Sequence, residues 1–119
     1  MPKSGQELIA DAKRRIKEIT PQQAIALHQG GEPVVFLDVR DLPEVNLGKI
    51  PGAVHVSRGN LETKIEGTVP RDARVVIYCA SGNRSALAAV TMEEMGYGDV
   101  CSLAGGFRGW AEQGGDVED

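Results

Sequence analysis

Residues 77–89, IYCASGNRSALAA, carry the side chains best suited to chemistry in this sequence. Cys79 stands where an apolar run ends. Ala80, Ser81, Gly82, Asn83, Arg84 and Ser85 follow, and then an alanine-rich, helix-prone stretch. A free thiol titrates near about 8.5, so near neutrality it is mostly protonated and a weak nucleophile. Two features of this segment predict a lower value. A helix starting after Arg84 would point its free backbone N–H groups back at the loop. A loop of small residues can also curl until successive N–H groups converge on an anion. Gly82 reaches positive φ at little cost, Asn83 tolerates it, and Arg84 adds a positive charge. The expected product is a thiolate held and aimed by its own loop, a nucleophile for covalent catalysis.

Many free cysteines are only small apolar side chains. Cys101, inside VCSLA, fits that description because it lies within a strand-like run, whereas Cys79 lies at the exit of one. Spacing narrows the chemistry further. Four residues separate Cys79 from Arg84. Cysteine-dependent phosphatases place one more residue in that interval, which opens the loop for a tetrahedral phosphate. The tighter ring here suits a smaller terminal anion, such as the outer sulfur of a persulfide.

The thiol loop needs a strand before it and a helix after it, and the rest of the chain alternates the same two signals. PVVFLDVR (33–40) and RVVIYC (74–79) are apolar without alternation, as strands covered on both faces are. IPGAVHV (50–56) is a turn into a shorter strand, and DVCSLAGG (99–106) is the last strand and its exit. A first helix is predicted from Ser4, whose spacing to Glu7 is that of a capping box; Leu8, Ile9, Ala12, Ile16 and Ile19 fall near one of its faces. A second runs from Thr20–Pro21 to Gly30–Gly31. Shorter helical pieces are expected at Leu42 to Leu47 and at NLETKIEG (60–67). The helix after the thiol loop should stop at Gly96, and GFRGWAEQGG should close the chain with Trp110 packed on the body. This alternation implies an α/β fold, a parallel sheet with helices on both sides. In such sheets a site lies beyond the carboxyl ends of the strands. Asp38–Arg40, Cys79–Ser85 and Ala104–Gly106 all stand there.

Composition excludes several classes. The chain has 119 residues, enough for one domain with a real core and no staples. At 41% hydrophobic and 25% charged it is ordinarily globular. A net charge of −4 argues against nucleic-acid binding. The one basic cluster, Lys13-Arg14-Arg15 with Lys17, sits among Asp11 and Glu18 and is expected to be the wet face of a helix. Two cysteines make no disulfide scaffold, and no C-x-x-C occurs; with His28 and His55 far apart, no metal site is expected. The opening MPKSGQELIADAK has no signal core, and no window spans a membrane, so a reducing cytoplasm is the expected location.

Three stretches together resemble a single-domain rhodanese, a sulfurtransferase. YCASGNRSALAA resembles the family's active-site loop. LDVRDLPEVNLGKIPGAVHV resembles its upstream signature, of the form D-V-R-x-x-x-E…G-H-I-P-G-A. SLAGGFRGW resembles its C-terminal signature. They cover about residues 33–112, leaving 1–32 as an N-terminal helical region of the same domain. The resemblance implies a three-layer fold with a central five-stranded parallel sheet. It implies that Cys79 takes the outer sulfur from thiosulfate or a persulfide and passes it to a thiophilic acceptor: cyanide, a thiol or a protein. No cofactor and no metal is implied. The amides from Ala80 to Arg84, with Ser85, would hold the sulfur, and the family carries Asp38 and Arg40 as strand-end residues near the pocket, where a plain structural salt bridge is the competing expectation. Arg58, with Glu62 after the HV strand, is expected either to support the pocket rim or to be an ordinary surface residue. Three departures stand out. Ala80 occupies a position where many thiosulfate-using members carry a cation, with Arg84 as partial compensation. Lys49 and Ser57 replace the usual histidine and proline. Fold alone does not fix function. A sulfur carrier or regulatory binding module is therefore the second expectation, and a cysteine phosphatase or arsenate reductase the third.

Overall fold

Parallel strands need crossover connections, and this chain supplies helices to make them. The computed structural model describes residues 2–119. In chain order the elements are α1 (Gly5–Arg15), β1 (Glu18–Ile19), α2 (Pro21–Gln29), β2 (Val35–Asp38), α3 (Leu42–Val45), β3 (Val54–His55), α4 (Leu61–Lys64), β4 (Val75–Tyr78), α5 (Asn83–Glu94), β5 (Val100–Leu103) and α6 (Gly106–Glu112). Single 3-10 turns, Arg58–Asn60 and Ile65–Gly67, flank α4. The five strands form one parallel sheet in the order β1-β5-β4-β2-β3.

Alternation along β4 explains why a strand can be apolar throughout. Val75 and Ile77 face one side, Val76 and Tyr78 the other, and all four are fully buried. Residues of α1, α4 and α5 cover the first side; α2 and α6 cover the second, with Trp110 at 0% exposure among Ala24, Phe36 and Leu103. Strand order reverses beside β4, which puts the exit of the central strand at the switch point of the sheet, where Cys79 begins the next loop. Among the described residues no helix is long and apolar enough to cross a membrane.

One expectation needs correction. The first helix stops at Arg15 and does not carry Ile16 and Ile19 on its face. Ile16 is its extended C-cap, and Ile19 lies in β1, which pairs with β5 through Glu18↔Ser102 and Ile19↔Leu103. The 1–32 region is therefore not only helical: it supplies the sheet's fifth strand. Two residues are too short to show a period of two, and their spacing happened to continue the helical one. Pro21 disfavours helical backbone at Thr20, which caps α2 in an extended conformation (φ −79°, ψ 161°) and separates β1 from α2.

Candidate active site

Cys79 follows β4, which β2 and β5 flank in the sheet, and the loop after it is shaped from both ends. α5 begins at Asn83, so Asn83, Arg84 and Ser85 form its first turn and Gly82 is its N-cap at φ 103°. That left-handed backbone favours glycine, which is the constraint at this position. The curl brings two backbone N–H groups onto Cys79 Sγ, from Gly82 at 3.1 Å and from Ser85 at 3.4 Å. The Ser85 hydroxyl stands 3.5 Å from Sγ and 2.8 Å from Ser102 Oγ on β5. Cys79 is only 1% exposed. Burial pushes its thiol up, but the Ser85 hydroxyl and the N–H groups of Ser85, Ser81 and Gly82 outweigh it, and the thiol lies below its ordinary value. Cys101 has no such donors, and burial pushes its thiol up.

The outer side of the loop is clamped by α6. Phe107 N–H donates to the Cys79 carbonyl at 2.7 Å, and Arg108 N–H donates to the Ala80 carbonyl at 3.2 Å. A trans peptide points its C=O and N–H in opposite directions, so fixing these carbonyls outward turns the following N–H groups inward. The clamp depends on Gly106. Its φ is 59°, and a Cβ would lie 2.4 Å from the Cys79 carbonyl oxygen and 2.6 Å from that of Ala80. Gly105 and Gly106 were legible in the sequence as part of a signature, but their task was not; only the approach of two backbones reveals it.

Arg84 does not stand as a free cation. Its guanidinium makes a bidentate pair with Glu44 of α3 at 2.8 and 2.9 Å, and Asp41 Oδ2 lies 3.9 Å away. Glu44 is held in turn by Asp41 N–H at 3.1 Å, the capping box of α3. Arg84 and the Asp41 N–H, against a smaller opposing effect of burial, bring the Glu44 carboxyl down to about 2. The partial compensation expected of Arg84 for the missing charge at Ala80 is thus offset by a carboxylate. Glu44 is the glutamate of the D-V-R-x-x-x-E pattern. The sequence displayed it, but nothing in the spacing said that it would reach a loop 40 residues further on.

The supporting residues separate. Asp38 and Arg40 form a buried ion pair at 2.7 Å, with 0% and 4% residue exposure. Arg40 also donates to the Gly48 carbonyl at 2.8 Å and lies over the Phe107 ring, 4.5 Å from its centroid. It ties β2, the start of the 48–50 segment and α6 together. His55 Nε2 meets the Arg40 carbonyl at 2.7 Å. Arg58 goes elsewhere. Its guanidinium pairs with Glu62 at 3.2 Å and reaches Thr91 Oγ1 at 3.4 Å, in a groove lined by Leu8, Ala12 and Leu87. Thr91 is eight residues beyond Asn83, about 12 Å along α5, so these contacts do not bring Arg58 to the thiol loop.

The profile of the rhodanese-like domain family matches residues 20–113. The thiosulfate sulfurtransferase GlpE of Pseudomonas fluorescens SBW25 is 42% identical over 94 residues, covering 79% of this chain and 84% of its own length. A putative sulfur carrier protein of Bacillus subtilis, YrkF, is 32% identical over 108 residues, which is 91% of this chain but 58% of YrkF. A solved structure from Rhodopseudomonas palustris, described as a protein of unknown function and possible tyrosine phosphatase, superposes with a TM-score of 0.90 at 38% identity, covering 99% of this chain and 96% of that one. With the match running from α2 through α6 and taking in four of the five parallel strands, the chain belongs to the rhodanese-like domain family.

Proposed function

We propose that this rhodanese-type sulfurtransferase carries sulfur on Cys79 as a persulfide. The observation that carries the proposal is the convergence of the Gly82 and Ser85 N–H groups on Sγ. Donors fixed before the reaction stabilise negative charge without reorganising. In the first half-reaction the Cys79 thiolate attacks the outer sulfur of thiosulfate. An S–S bond forms to Cys79, the donor's S–S bond breaks, and sulfite leaves with the electron pair. A persulfide donor reacts alike, releasing a thiolate. In the second half-reaction a thiolate or cyanide attacks the terminal sulfur, and the Cys79 thiolate is the leaving group. A lowered thiol serves both steps, as nucleophile at neutral pH and then as leaving group. The inward amides of the 80–85 loop are suited to the terminal sulfur, which carries the charge of the intermediate.

A carrier without turnover is the second reading, and the similarity to YrkF favours it. Steady-state transfer from thiosulfate and from a glutathione persulfide to cyanide separates the two. Turnover with either donor, lost to background in Cys79→Ser, supports the enzyme. Loading without turnover supports the carrier. Turnover retained in Cys79→Ser would defeat both. The phosphatase reading is disfavoured because Arg84, the residue that would clamp a phosphate, is engaged by Glu44.

A further inference from the structure

Behind the thiol lies a second polar residue that the proposed chemistry has not used. β5 alternates, so Cys101 and Leu103 face α2 and α6 while Ser102 faces α5. Ser102 and Ser85 are both 0% exposed. Among the described residues the Ser102 hydroxyl meets one hydrogen-bond partner, Ser85 Oγ at 2.8 Å. The Ser85 hydroxyl meets two, Ser102 and Cys79 Sγ. Each hydroxyl has one hydrogen to give.

That inventory gives the row a direction. A buried hydroxyl hydrogen needs an acceptor, and among the described residues Ser85 Oγ is the only one Ser102 has. With Ser102 donating to Ser85, the Ser85 hydrogen is free to point at sulfur. Suppose instead that the thiol S–H donates to Ser85 and Ser85 donates to Ser102. The Ser102 hydrogen then has no acceptor among the described residues. The row is complete only when sulfur accepts, and a thiolate accepts better than a thiol. Hydrogen bonds in such a row also polarise one another. We propose that Ser102 is a positioning residue, holding the Ser85 hydroxyl as a donor to Cys79 and so favouring the thiolate.

The charged and titratable groups around the thiol have other partners. Arg84 on α5 pairs with Glu44 and Asp41 at α3. At the end of β2, Asp38 and Arg40 pair with each other. His55 on β3 is held by the Arg40 carbonyl, and the Tyr78 hydroxyl accepts from Ile50 N–H. Arg108 on α6 is exposed and touches the loop through its backbone N–H. None of these contacts passes through Ser102, so a substitution there tests the row alone.

This inference deepens the assignment of Cys79 as nucleophile, but its test reads the thiol directly and can fail with sulfur transfer intact. The rate of alkylation of Cys79 by iodoacetamide would be followed against pH, with Cys79 and Cys101 resolved by peptide mass. In Ser102→Ala the midpoint should rise by roughly half to one pH unit, the scale of one hydrogen bond. Ser102→Thr, which keeps the hydroxyl, should return toward wild type. In a Ser85→Ala background Ser102→Ala should add no shift. A wild-type midpoint in Ser102→Ala, even with a lowered melting temperature, would overturn the proposal, because loss of packing alone moves stability and not the midpoint. A full shift in the absence of Ser85 would overturn it as well. Should Ser102→Ala fail to fold, Ser102→Cys keeps similar volume with a weaker donor. It should raise the Cys79 midpoint by less, and an unchanged midpoint there would be equally fatal.

Discussion

At Cys79 burial and hydrogen bonding pull in opposite directions. Burial of a residue 1% exposed raises its thiol, yet the N–H groups and hydroxyl around Sγ outweigh that and bring it below its ordinary value. Cys101 is also buried, lacks those donors, and moves the other way. The contrast between two cysteines was readable from position, strand exit against strand interior. The Glu44–Arg84 pair was not, because it joins segments far apart in the chain. Glu44 has its own signature in pH. Its carboxyl sits at about 2 instead of 4.5 when folded. A carboxyl depressed on folding contributes stability fully above its unfolded value and loses it as pH falls through its folded one. Wild type should therefore melt above Glu44→Gln at neutral pH, and the gap should close between about 4.5 and 2. Solvent screens this half-exposed pair, so the neutral-pH gap should be on the order of 1 kcal/mol or less. A gap that stays constant through this window in melting scans would show that the pair carries no such linkage.

The element that shapes the site most is not the one carrying the thiol. α6 takes the Cys79 and Ala80 carbonyls, and Gly106 allows it to come close enough to do so. Gly106→Ala should cost about 2–4 kcal/mol through backbone clash and left-handed strain, and should lower transfer activity more than the loss of folded protein explains. Thermal melts and rates per folded molecule check both parts. Strands and helices with strong local signals were legible: the β4 run, the Thr20–Pro21 start of α2, the stop of α5 near Gly96. β1 was not, since a two-residue edge strand is defined by its neighbour β5 and not by any pattern of its own. The sequence marked the glycine pair after β5 as significant, but its use depends on tertiary approach.

For the molecule as a whole, two cores on either side of one sheet hold the central strand still, and that stillness is what aims the thiol. Trp110 anchors the second core, fully buried, with its Nε1 donating to the Asp116 carbonyl at 2.7 Å. The sheet's switch point, the first turn of α5 and the clamp from α6 meet at one residue, Cys79. The central claim is that the Cys79 sulfur carries another. The most direct test is the intact mass of the protein after incubation with thiosulfate or a glutathione persulfide and removal of the donor, with Cys79→Ser and Cys101→Ser alongside. The account predicts a gain of about one sulfur atom in wild type and in Cys101→Ser, none in Cys79→Ser, and loss of the added mass on exposure to cyanide. No gain in wild type from either donor, or an equal gain in Cys79→Ser, would contradict it.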